Sequence, residues 1–164
     1  TDIVKNRREM IAECPNTPFF ISSTISAYNV WHWPDFHREW IEEGLVDINS
    51  LNLTILTHPE RLSIQVLPKD FKLQVTKKWE KHIEYVQDLR KQQNPDWQND
   101  TTNFEGIIKF MYADDTFDNK FNEFLWTTKE FDNIRKNDAY AVYPELEQLK
   151  KYEIMPDDPR YKIA

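Results

Sequence analysis

Residues 18–44, PFFISSTISAYNVWHWPDFHREWIEEG, decide the fold, because there an apolar run passes directly into a well-punctuated helix. Phe19, Phe20, Ile21 and Ile25, with Ser22, Ser23, Thr24 and Ser26 among them, favour an extended strand buried on both faces. Pro34 presets the backbone for a first helical turn, Phe36, Trp40 and Ile41 fall on one helix face, and Gly44 supplies a left-handed stop. The unit is strand, loop, helix. In open α/β folds ligands gather at the carboxyl ends of strands, which singles out Thr24, Ser26 and Asn29 in and beside the loop 27–33. Small polar residues at a strand end also serve loop backbone groups, and both roles stand at this point.

Working outward, residues 2–13 carry Ile3, Val4, Met10 and Ile11 at a helix-compatible spacing, with Asp2 favouring the amino end. Residues 51–57, LNLTILT, alternate Leu51, Leu53 and Ile55 with Asn52 and Thr54 and predict a second strand. Two strands joined by one helix and short loops predict parallel pairing. Residues 59–68, PERLSIQVLP, alternate as well and suggest an edge strand or an extended crossing segment. Pro68 opens the longest helix, 69–92, whose stripe is Phe71, Val75, Trp79, His82, Ile83, Val86 and Leu89. A polar loop over 94–103, with Pro95 stopping the helix, leads to helices over 104–113, 116–136 and 144–152 and a tail from 156 to 164. Phe117, Phe121, Phe124, Leu125, Thr128 and Ile134 give the middle one its apolar face.

Composition excludes several classes of function. The 164 residues, 40% hydrophobic and 14% aromatic, suit one compact domain, divided as strand–helix units over 1–93, the loop 94–103, the helical extension 104–155 and the tail. Glycine occurs only at Gly44 and Gly106, so neither common glycine-rich phosphate loop is present. A net charge of −7 argues against a nucleic-acid backbone as the main partner. Cys14 is the sole cysteine, which precludes an intramolecular disulfide and a multi-cysteine metal site within these residues. With no apolar run of spanning length and no signal-like amino terminus, the expectation is a soluble cytoplasmic protein without a membrane partner. In that setting the glycosylation-type patterns at Asn52 and Asn99 carry little weight. A start at Thr1 inside a helical pattern is how a fragment begins, and tag removal leaves the same start.

Several strings, in order over residues 11–149, resemble the carboxyl-terminal half of twitch-type radical S-adenosylmethionine (SAM) proteins, especially phage-like and marine-bacterial ones. They are TISAYN at 24–29, the WPDFxxWIxEG helix, LNL at 51–53, PERLSIQVLP at 59–68, and KEFDNIR with YPEL near the end. The resemblance implies half of a partial TIM-like α/β barrel with two or three parallel or mixed strands, followed by a largely helical carboxyl-terminal extension. It further implies that Thr24, Ser26 and Asn29 on one strand, and Asn52 and Thr54 on the next, line a SAM pocket. The family's CxxxCxxC loop, which holds the 4Fe-4S cluster that cleaves SAM, has no counterpart here, since that cluster needs three thiolates and Cys14 is alone. Cysteines for an auxiliary cluster are missing too. The implied identity is a carboxyl-terminal fragment of a radical SAM enzyme of unknown substrate, inactive alone. A small α-rich protein-interaction module is the alternative. In half a barrel the unpaired sheet edge, together with Trp31, Trp33, Phe36 and Trp40, predicts self-association.

Other chemistry-bearing residues have plainer readings beside them. His32, His37, His58 and His82 are of a metal-ligating type but lack paired spacing. The expectation places His32 in the loop, His37 on a solvated helix face and His82 at the rim of the apolar stripe; His58 follows the second strand at the ligand end. Residues 113–123, ADDTFDNKFNE, lack the central glycine and ligand spacing of a calcium loop, so Asp114, Asp115 or Thr116 caps the next helix. Lys72, Lys77, Lys78 and Lys81 read as a solvated face beside Trp79, and Cys14 as a small buried hydrophobe.

Overall fold

The computed structural model describes residues 2–94, 96 and 101–154. The order is α1 (Asp2–Glu13), β1 (Ile21–Ile25), α2 (Trp33–Glu42), β2 (Leu51–Ile55), α3 (Lys69–Gln93), α4 (Thr102–Met111), α5 (Phe117–Arg135) and α6 (Ala139–Val142), with 3-10 turns at Glu60–Leu62, Ile64–Val66 and Pro144–Tyr152. Most of the expected polar loop, including Pro95 and Asn99, and the expected tail lie outside the described residues. Among the described residues no helix is long and apolar enough to cross a membrane.

β1 and β2 pair in parallel, Ile21 opposite Leu51 through Ile25 opposite Ile55, as a β–α–β connection requires. Alternation then sorts the side chains. Ile25 is fully buried and Ile21, Ser23, Leu51, Leu53 and Ile55 half-buried on one face, while Ser22, Thr24, Asn52 and Thr54 are exposed on the other. β1 is therefore not buried on both faces, because no described element covers the side that carries Ser22 and Thr24.

The expected half of a TIM-like barrel does not form. Among the described residues the sheet has two strands, and the remaining elements are helices and turns, so the fold is a small α-rich one around a single parallel pair. The decisive segment is 59–68, whose alternation suggested a further strand. It coils instead into two 3-10 turns, with Ser63 Oγ accepting from Gln65 N at 3.3 Å. Ile64, Val66 and Leu67 are thereby buried in the core rather than laid along a sheet edge.

α3 keeps the expected stripe, burying Phe71, Val75, Trp79, His82, Ile83 and Val86. Trp79 is the centre of the core: fully buried, stacked on Trp33 with centroids 5.2 Å apart, and donating from Nε1 to Val30 O at 2.8 Å. The same core takes in Phe104 of α4 and Phe121, Phe124 and Leu125 of α5, so both halves of the chain share it. A smaller cluster of Trp40, Leu45 and Val46 receives α1 through Val4 and Ile11, and Arg7 Nε donates to Leu45 O at 2.7 Å. Trp31 and Phe36 are half-buried and Trp33 and Trp40 buried, so these aromatics pack inward. Cys14 is exposed, not buried, because α1 ends outside both clusters. Ile134, expected on the apolar face of α5, is 74% exposed, since that helix runs past the core in its last turn.

Candidate functional site

The turn that follows β1 is built by Asn29. Its Oδ1 accepts from Ser26 N at 2.8 Å and lies 3.4 Å from Ser26 Oγ, while its Nδ2 donates to Thr24 O at 2.9 Å. Side-chain amides that mimic backbone in this way are the usual device for leaving a strand. Asn29 therefore commits its amide oxygen and one amide N–H inside the turn. Ser26 O then accepts from Val30 N at 3.1 Å, and Asn29 O accepts from Trp33 N at 2.9 Å, which carries the chain into α2.

Beside this turn lies a cleft of about 420 Å³, lined by Ser26, Tyr28 and Asn29 on one side and by the α5–α6 corner on the other. Tyr28 donates to or accepts from Thr128 Oγ1 at 2.9 Å, and its ring stacks on Tyr143 with centroids 6.2 Å apart. Burial raises the Tyr28 phenol above its ordinary value, so it is neutral. At the far wall both Asp132 oxygens accept from Ala139 N, at 3.0 and 3.1 Å, and Arg135 lies over the Phe131 ring at 5.0 Å. The corner itself is set by Lys136, left-handed at φ 56°, and by Asp138, whose Oδ1 caps α6 through Tyr140 N at 2.9 Å.

Of the expected SAM-contacting residues, Ser26 and Asn29 line this cleft, whereas Thr24, Asn52 and Thr54 stand on the open sheet face, with Thr24 opposite Thr54. The cleft residues Tyr28, Asp132, Arg135 and Tyr143 escaped sequence reading. They lie over a hundred positions apart, and only the polar surplus at the end of α5 hinted at them.

The histidines separate into three settings. His37 is fully buried, not solvated, and its Nδ1 lies 2.9 Å from Nε2 of the buried His82. Both sit among Trp33 and Phe104, 4.9–6.0 Å away between ring centroids. Burial lowers His37 to about 4, helped by Arg90, and burial lowers His82 to about 3, helped by His37 and Arg38. Two neutral rings joined by one N–H···N hydrogen bond are the result, and among the described residues His37 Nε2 is buried without a hydrogen-bond partner. His32 Nε2 lies 2.8 Å from Oε2 of Glu145, whose side chain is only 8% exposed, but off the line an N–H would need for a hydrogen bond. His58 is exposed beside Thr57.

Among the described residues no three His, Cys, Asp or Glu side chains converge as a metal site. The cationic face expected beside Trp79 is divided: Lys72 is buried near Asp115 at 3.6 Å, and Lys78 pairs with Asp35. Asp115 Oδ1 accepts from Phe117 N at 3.3 Å at the start of α5, whose N-cap residue Thr116 makes no side-chain capping bond among the described residues. No family model, no curated protein and no solved structure matches the chain.

Proposed function

We propose that this chain is the carboxyl-terminal part of a twitch-type radical SAM enzyme and supplies a wall of its small-molecule site rather than the radical chemistry. The observation that carries the reading is the sheet. Two parallel strands in register present only Ser22, Thr24, Asn52 and Thr54 on the open face, with partners about 4.8 Å apart. Hydroxyls and an amide at that spacing suit the ribose or the amino-acid end of SAM. The ordered strings that resemble the family run through the same elements. The 4Fe-4S cluster does not fit these residues, because Cys14 is a lone thiol on an exposed surface, so no step of the reaction is assigned to this chain.

Calorimetric titration of SAM into the full chain tests the reading. Saturable binding is expected, weakened at least about tenfold by the double variant Thr24→Val, Thr54→Val with unchanged circular dichroism. Silence at millimolar SAM, or binding indifferent to the double variant, removes it. An open reading frame upstream of Thr1 that encodes the three-cysteine loop is the genomic counterpart of the same test. A second reading, a protein-interaction module, is favoured by the outer edges of the two strands and by Phe20, 65% exposed at the entry to β1.

A further inference from the structure

The cleft between the β1 turn and the α5–α6 corner holds charges that the fold does not use up. Asp132 and Arg135, three apart on α5, share a helix face, yet no ion pair joins them, and among the described residues no carboxylate lies within ion-pair reach of Arg135. Among the described residues, Asp132 gives one lone pair of each oxygen to Ala139 N and keeps the other. A plainer role exists for Arg135 as a cation in the last turn of α5, where it favours the helix dipole. That role does not account for a carboxylate and a guanidinium that face one cavity and, among the described residues, have no ion-pair partner. Tyr28 and Tyr143 line the same cleft, their rings stacked with centroids 6.2 Å apart and planes inclined by 29°, and the Tyr28 hydroxyl is already engaged by Thr128. At about 420 Å³ the cavity is at the small end of the usual range for small-molecule sites, roughly 300–1,000 Å³.

We propose that this cleft binds a free amino acid with a flat, apolar side group, Arg135 pairing with its carboxylate, Asp132 accepting from its ammonium, and Tyr28 and Tyr143 stacking on its ring. The proposal goes beyond the sheet-face reading and stands if that reading falls. Adjacent positive and negative groups on one helix face complement a zwitterion, whereas a simple anion would be repelled by Asp132 and a simple amine by Arg135.

The test is L-phenylalanine titrated into the ¹⁵N-labelled full chain, followed by amide shifts. Saturable shifts are expected at Tyr28, Asn29, Asp132, Ala139 and Tyr143, with phenylacetate and phenethylamine each binding at least about tenfold more weakly. Arg135→Gln, at an exposed position, weakens L-phenylalanine at least about tenfold without disturbing the remaining spectrum, and Val142→Trp, at a cleft residue 58% exposed, blocks it. No saturable shift up to about 10 mM overturns the proposal, as does equal binding of phenylacetate or indifference to Arg135→Gln. SAM displacing L-phenylalanine from the cleft at lower concentration overturns it as well. Thr24→Val with Thr54→Val leaves L-phenylalanine binding unchanged, so failure of the cleft and failure of the sheet face are separate results.

Discussion

Single side chains carry the strongest energetic statements in this protein. Trp79 is fully enclosed, and Trp79→Ala is expected to cost ~3–5 kcal/mol, measured by urea unfolding, because a large cavity opens and Val30 O loses its donor. The His37–His82 pair predicts a pH dependence whose sign follows from linkage. Both rings stay neutral in the folded state to about 4 and about 3, whereas unfolded histidine protonates near pH 6.5. Below that value the unfolded chain binds more protons, so stability is fully present above about pH 6.5 and falls with decreasing pH, by ~1.4 kcal/mol per unit for each ring. Urea midpoints between pH 7 and 5, above the carboxylate range, measure this slope, and a flat profile contradicts a buried neutral pair. The stripe position of His82 was readable from its spacing, but the burial of His37 was not. His37 lies beside polar neighbours on α2 and is covered only because α3 and α4 close over it.

At the scale of the element, punctuation by proline and glycine proved the most dependable guide. Gly44 stops α2 at φ 67°, as expected, with its N–H on Ile41 O at 3.0 Å. A Cβ at Gly44 meets no atom within 4 Å, so Gly44→Ala is a pure test of backbone strain and is expected to cost ~1 kcal/mol. Lys136 is the converse case. It takes the left-handed conformation at the end of α5 with a side chain, and Lys136→Gly is expected to raise stability by ~1 kcal/mol in the same unfolding assay. Alternation was the weaker guide. It located β2 correctly, yet in 59–68 it marked residues that two 3-10 turns bury just as well.

For the whole molecule, a two-stranded parallel sheet with one face open is an unusual thing to leave in water. Among the described residues each strand has an outer edge outside the ladder, and the open face has no helical cover. Self-association through an outer edge is the expected consequence, read as a mass that rises with concentration in sedimentation runs from about 1 to 100 μM, the range in which modest interfaces assemble. A constant monomer mass shows that the edge and face are tolerated alone. Of the four aromatics offered for that association, Trp33 and Trp40 are buried in this chain's own clusters, and Trp31 and Phe36 are half-buried.

Local chemistry sufficed to place β1, α2, β2 and α3 and to orient the two strands, because proline, glycine and period of hydrophobicity act over a few residues and a short helical connection leaves little choice of direction. The number of strands, the sinking of 59–68 into the core and the pairing of His37 with His82 depended on which surfaces meet. So did the cleft that joins Tyr28 to Asp132 and Arg135. Contacts between residues a hundred positions apart are settled by burial and hydrogen-bond satisfaction in three dimensions, and no window of sequence contains both partners.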